Sequence, residues 1–209
     1  MASEVDIVNL ALAHLGDNAT VVSLDPPEGS AQAEHAARFY PIARDSLLEL
    51  HQWGFATKRV TLAPLGSGWS EWDYAYAQPS DAIDIIAVMP PGASDDYGVS
   101  FGGSYVTQPF ASEIDGNGAA VIYTDQAEAV LRYTGIVTDT TTFSPLFVMA
   151  LSWHLASLLA GPILKGDVGA AEGKRCAQMM QVYLSKAMVS DAGDKRSVPQ
   201  HNVGWISGR

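Results

Sequence analysis

The residues able to do chemistry in this chain are five histidines, one cysteine and a dense set of carboxylates. His14, His35, His51, His154 and His201 never pair four residues apart and no H-E-x-x-H occurs, so the helix-borne zinc pair of a metalloprotease is absent. No G-x-S-x-G elbow presents a serine for nucleophilic attack. His154, within Ser152-Trp153-His154, reads as a hydrogen-bonded core or interface histidine. Gly169 to Lys174 (GAAEGK) resembles a phosphate loop, but one residue too few separates its glycines. Arg175 also stands where a magnesium-binding Ser or Thr belongs, and no strand precedes it. It reads as a helix start rich in small residues. Cys176 alone excludes an internal disulfide and a Cys-rich zinc site. No catalytic residue, cofactor or metal is expected.

The carboxylates are unevenly placed. The chain has 12 Lys and Arg against 23 Asp and Glu, a net charge of −11. From Val60 to Leu131 there is no Lys or Arg, but ten acids: Glu71, Asp73, Asp81, Asp84, Asp95, Asp96, Glu113, Asp115, Asp125 and Glu128. Seven of the twelve basic residues follow position 160. Two of the acids at a set separation would suit glycoside hydrolysis. A cluster of them would suit calcium, although no EF-hand spacing is present. The favoured reading is a solvated acidic face that repels DNA phosphates, the inverse of binding through Lys and Arg.

At 209 residues the chain has the length of one domain or two small ones, and 47 % apolar residues are enough for a core. Only 17 % are charged, below the roughly 25 % of an average soluble domain, which points to surface buried in an oligomer or complex. MASEVDIVN lacks a basic n-region and an apolar h-region, so no secretory signal is expected, and folding in a reducing cytoplasm is.

The elements that must position these groups read as follows. Ser3, with Asp6 three residues on, caps a helix through Val5, Val8, Leu12 and Leu15 that Gly16 stops. A longer helix starts at Ser30 and runs to about His51, with a kink or break expected near residues 37–41 because of Pro41. Strands are expected at 55–63, 83–89, 99–107, 119–124 and 129–137, with a turn at Asp115-Gly116-Asn117-Gly118. Ser144 caps a further helix stopped by Gly161-Pro162, and the last helix covers 167–190. Asp139 to Lys165 encloses 25 uncharged residues, close to membrane-spanning length. Ser152, His154, Ser157 and the Gly-Pro stop make it a buried core or interface helix instead. The fold class is α+β: a helical bundle from both chain ends (1–54 plus 139–191), an inserted antiparallel β unit, sandwich or small barrel (55–138), and an extended C-terminal tail (192–209).

Two segments carry a resemblance. One is Phe39-Tyr40-Pro41-Ile42-Ala43-Arg44-Asp45-Ser46-Leu47-Leu48 followed by Trp53-Gly54-Phe55-Ala56-Thr57-Lys58-Arg59. The other is Tyr76-Ala77-Gln78-Pro79-Ser80-Asp81. With the element order, they resemble the head-to-tail adaptors of short-tailed bacteriophages, the tail tubular protein A type. Tyr40, Pro41, Arg44, Asp45, Trp53, Phe55, Lys58 and Arg59 are its structural motif. No catalytic motif is included, and 89–124 does not align.

The resemblance implies a virion tail protein that is assembled in the host cytoplasm. It implies a homo-oligomeric ring, usually dodecameric, between portal protein and tail nozzle protein, extending a channel that double-stranded DNA crosses without tight binding, and no membrane. Adjacent subunits are expected to pack through helices including 144–160. The tail is expected to dock on a partner through Val203, Trp205, Ile206 and Arg209. Two other readings stay open: a muralytic enzyme using carboxylates of the β unit, and a carbohydrate-binding module using Trp69, Trp72 and Tyr74.

Overall fold

Serines start the helices. Ser3 Oγ accepts from the Asp6 amide at 3.1 Å while the Asp6 carboxylate accepts from the Ser3 amide at 2.9 Å, a reciprocal cap on α1 (Glu4–His14). Gly16, at φ 76°, closes α1 through the amides of Gly16 and Asp17 on the carbonyls of Ala13 and Leu12. Ser30 caps α2 (Ala31–Glu49) at the Ala33 amide, and Ser144 caps α3 (Pro145–Leu164) at the Phe147 amide. The last helix, α4, is Gly166–Asp194.

The structure, a computed structural model, describes residues 2–67, 71–92 and 108–194. The strand expected at 99–107, Trp69, and the tail residues Val203, Trp205, Ile206 and Arg209 lie outside the described residues. The chain is mixed α/β, with four α-helices and two antiparallel sheets among the described residues. It divides into two units: Met1–Ala56 with Ile136–Asp194, and Thr57–Gly135.

Three expectations about the helices are corrected. α2 runs through Pro41 without a break. Pro41 lies on the exposed side, where solvent satisfies the carbonyl it leaves unserved, while Ala33, Ala36, Tyr40, Ala43, Leu47 and Leu48 hold the buried side. Gly161-Pro162 does not stop α3, which continues to Leu164 and reverses at Lys165 (φ 56°) into Gly166 (φ 57°). In the last turn a proline forfeits only one hydrogen bond. α4 continues through Ala192, Gly193 and Asp194, beyond the start expected for the tail.

α3 is the centre of its unit, packed by α1, α2 and α4. Phe147, Val148, Ala150, Leu151, Ser152, Trp153, Leu155, Ala156, Leu159 and Ala160 are buried within the chain, so most of α3 is not available to a neighbouring subunit as expected. By length and composition it is also long and apolar enough to cross a membrane. α4 approaches it at two glycines. A Cβ on Gly169 would stand 2.8 Å from the Ala160 carbonyl oxygen, and one on Gly173 would stand 3.3 Å from that of Ser157. The GAAEGK segment is thus a helix-packing surface. Below α3, Trp53 is fully buried, its Nε1 donating to the Leu47 carbonyl at 2.8 Å and its ring meeting Phe55 and Phe147.

Among the described residues the other unit holds seven strands: β1 (Thr57–Thr61), β2 (Pro64–Ser67), β3 (Tyr74–Ala77), β4 (Ala82–Met89), β5 (Phe110–Ile114), β6 (Ala120–Thr124) and β7 (Val130–Gly135). β1-β7-β4 form one sheet and β2-β3-β6-β5 the other. β2, β3 and β5 were not expected. The Asp115–Gly118 turn joins β5 to β6, with Asp115 Oδ1 accepting from the amides of Asn117 and Ala119 at 2.8 Å each. Side chains of both sheets share a core: Tyr76 and Ile122 from one, Val88, Leu131 and Tyr133 from the other, with Leu62 and Ala129.

Two substitutions test this packing by thermal or denaturant unfolding. Trp53→Ala is expected to cost about 3–5 kcal/mol, the range for truncating a buried aromatic. Gly169→Ala gains up to about 1 kcal/mol of helix propensity, yet is expected to destabilise by about 1–3 kcal/mol because its methyl meets a backbone carbonyl. A stabilised Gly169→Ala variant overturns the close approach.

Candidate functional site

Antiparallel register brings the two motif segments together. Lys58 of β1 stands directly across from Tyr133 of β7, whose other neighbour is Ile85 of β4. Asp81 leads into β4. Lys58 Nζ donates to Asp81 Oδ2 at 2.6 Å, and Tyr133 Oη donates to Asp81 Oδ1 at 3.0 Å. Gly135 makes room for the lysine stem, since a Cβ there would lie 2.7 Å from Lys58 Cδ. The Lys58 hydrogen bond, aided by that of Tyr133, holds the Asp81 carboxyl below its usual range. Burial, then the bond to Asp81, pushes the Tyr133 phenol up to about 12. Near neutrality the acid is a carboxylate and the Tyr133 phenol keeps its proton. The trio clamps three strand segments.

The rest of the motif packs. Tyr40 is buried, and its hydroxyl has no hydrogen-bond partner; burial pushes that phenol well up. Pro41 is exposed. Arg44 is buried and its Nε donates to Asp45 Oδ1 at 2.8 Å. Trp53 and Phe55 join the aromatic cluster with Phe143 and Phe147. Arg59 is exposed on β1, across from buried Arg132.

Two serine–histidine pairs need reading as chemistry. Ser46 Oγ stands 3.0 Å from His154 Nε2, and Ser152 Oγ stands 3.1 Å from His14 Nε2. Each hydroxyl also donates to a backbone carbonyl, Ser46 to Ala43 at 3.0 Å and Ser152 to Met149 at 2.9 Å. A hydroxyl has one proton, so when that proton is on the carbonyl the imidazole donates to the oxygen through Nε2–H. A nucleophile–base pair needs the opposite direction. Burial pushes both imidazoles below their usual range, and Arg175 adds to this at His14. His14 also stacks on Trp153 at 3.6 Å between ring centroids. Both histidines are half-buried.

Sequence reasoning missed Asp191. Its Oδ2 meets His51 Nε2 at 3.0 Å and its Oδ1 accepts from the Gly54 amide at 2.8 Å, tying the end of α4 to the segment after α2. These partners are about 140 residues away in the chain, and no local spacing announces them. Beside them an open cleft of about 220 Å³ is lined by Trp53, Phe55, Thr142, Ser144, Asp191 and Asp194, among others. Of the acids expected to form one face, Asp81, Asp115 and Asp125 hold backbone or side-chain donors, and Glu71, Asp73, Glu113, Asp125 and Glu128 are exposed. Asp95 and Asp96 lie outside the described residues. Trp72 is half-buried and Tyr74 is 37 % exposed. Among the described residues no group of three or more His, Cys, Asp or Glu could hold a metal ion.

No model of a known protein family matches the chain, and no curated protein matches it.

The clamp makes a prediction with a sign. Asp81 has a lowered folded pKa, so its contribution is present above the ordinary carboxylate pKa and is lost as pH falls through the folded value. Lys58 and Asp81 are each about two-fifths exposed, and solvent screening keeps the pair to roughly 0.5–1 kcal/mol. Asp81→Asn is expected to cost that much at neutral pH and to match the parent in strong acid, measured by urea unfolding across pH. An equal cost at both ends removes the clamp's electrostatic role.

Proposed function

We propose that the protein is a structural component of a bacteriophage virion, a head-to-tail adaptor that forms a ring between portal and tail nozzle and extends the DNA channel. The fuller architecture belongs to the same reading: a bundle closed from both chain ends, an inserted sandwich or small barrel, and an extended docking tail. The observation that carries it is the segregation of charge. Residues 60–131 hold ten acids and no Lys or Arg, and five of those acids are exposed on the β unit. A DNA-binding surface requires the reverse. A surface that DNA must pass without sticking requires this arrangement, because like charge in a confined passage raises the cost of contact. The clamp of Lys58, Asp81 and Tyr133 adds support, since the residues that carry the adaptor resemblance serve to hold strands together. The glycan-hydrolysing and glycan-binding readings have no such observation of their own.

The test joins purified protein to portal-bearing heads that lack tails. The full chain is expected to attach, whereas a chain without residues 197–209, or carrying Trp205→Ala, is expected to keep its circular dichroism and fail to attach. The intact protein is expected to leave double-stranded DNA unretarded at physiological salt. Tight, salt-sensitive DNA binding, or failure of the full chain to attach, overturns the reading.

A further inference from the structure

α4 buries little of itself. In 29 residues only Gly169, Cys176 and Ala187 are buried. Val168, Val182 and Val189 are 64 %, 47 % and 74 % exposed. They are separated by multiples of seven residues, which places them along one line of the helix. From Lys174 to Ser190 the helix carries Lys174, Arg175 and Lys186 and no acid. On α2 and its cap, Ile42 and Leu50 are also more than half exposed. From Ile42 to Leu50 the charges are Glu49 and the pair of buried Arg44 with Asp45.

We infer that α4 of one copy packs on α2 of the next, Val182 and Val189 against Ile42 and Leu50, with Lys186 beside Glu49. The inference rests on the ring-forming reading above and names the surfaces that reading leaves open. Two arguments select this pairing. The apolar pairs match in spacing: eight residues of α2 rise about 12 Å and seven of α4 about 10.5 Å. Lys186, four residues after Val182 and three before Val189, falls opposite the stretch from Asp45 to Glu49 whichever way the helices run. The charges also complement one another, while two α4 faces brought together would set Lys186 and its basic neighbours against their copies. Lys186 Nζ stands 5.1 Å above the Tyr183 ring. This contact joins two different patches, so each copy keeps one of each free for further neighbours, which is the condition for a closed ring.

The native cysteine, Cys176, is buried, so introduced thiols are the reactive ones. A chain with Glu49→Cys and Lys186→Cys, treated with a short bis-maleimide, is expected to give a ladder of covalent oligomers beyond the dimer. Glu49→Cys alone and Lys186→Cys alone are expected to give none, and adding Val189→Asp to the double variant is expected to abolish the ladder. All three positions are on the surface, and circular dichroism checks folding. No ladder, a bond within one chain, a dimer from Lys186→Cys alone, or a ladder that survives Val189→Asp each overturns the pairing. Protein that joins heads yet forms no ladder overturns this pairing and leaves the adaptor reading standing. Protein that forms the ladder but never joins heads supports the pairing and overturns the adaptor reading.

Discussion

Gly169 is where α4 comes against the Ala160 carbonyl at a distance that no side chain permits, and the helical unit depends on that contact. A one-residue reversal at Lys165 returns the chain antiparallel, so the first turns of α4 must lie on the last turns of α3. Small residues on the facing surfaces let the two backbones close. α3 is then covered on one side by α4, and its remaining sides are left to α1 and α2. An almost wholly apolar 20-residue helix needs cover, and this arrangement buries ten of its residues. Near the far end of α4, Asp191 anchors the overhang through His51 and Gly54.

That constraint explains which parts of the fold could be read from the chain. The serine caps at Ser3, Ser30 and Ser144 were legible because a cap is a local contract between a side chain and an amide three residues on. The turn at Asp115–Gly118 was legible for the same reason. α2 does not break at Pro41 and α3 does not stop at Gly161-Pro162. A proline inside a helix carries a local cost that can be read from sequence, but the outcome turns on what packing the helix would lose by breaking. At Pro41 the buried face of α2 outweighs one hydrogen bond on the solvent side, and at Pro162 little helix remained to lose. β2, β3 and β5 have four or five residues each and acquire their identity from pairing. Tyr74-Ala75-Tyr76-Ala77 becomes a strand by lying between β2 and β6.

The candidate sites divide along the same line. The motif segments could be seen in the sequence, but not that Lys58, 23 residues before Asp81, would share its carboxylate with Tyr133. That meeting needs β7 to enter between β1 and β4, and Gly135 to be empty of side chain. The serine–histidine pairs span 108 and 138 residues. Only their full hydrogen-bond accounting, with each hydroxyl proton committed to a carbonyl, separates a packed polar core from a nucleophile.

Charge is the property that composition conveys most directly, and here it also restrains interpretation. A net charge of −11 describes a molecule that should repel its own copies. Assembly is reconciled with that only if the acids are kept away from the contact surfaces. Within the helical unit, the stretch of α4 from Lys174 to Ser190 has three cations and no acid, while the β unit between residues 60 and 131 has the reverse. An oligomer built through helices would leave that acidic stretch outside its contacts, whereas an oligomer built through the base-free β unit would set acid against acid. Together with the low overall charge fraction, this distribution is what supports the proposal of helix-mediated contact between copies and of a β surface that DNA passes without sticking.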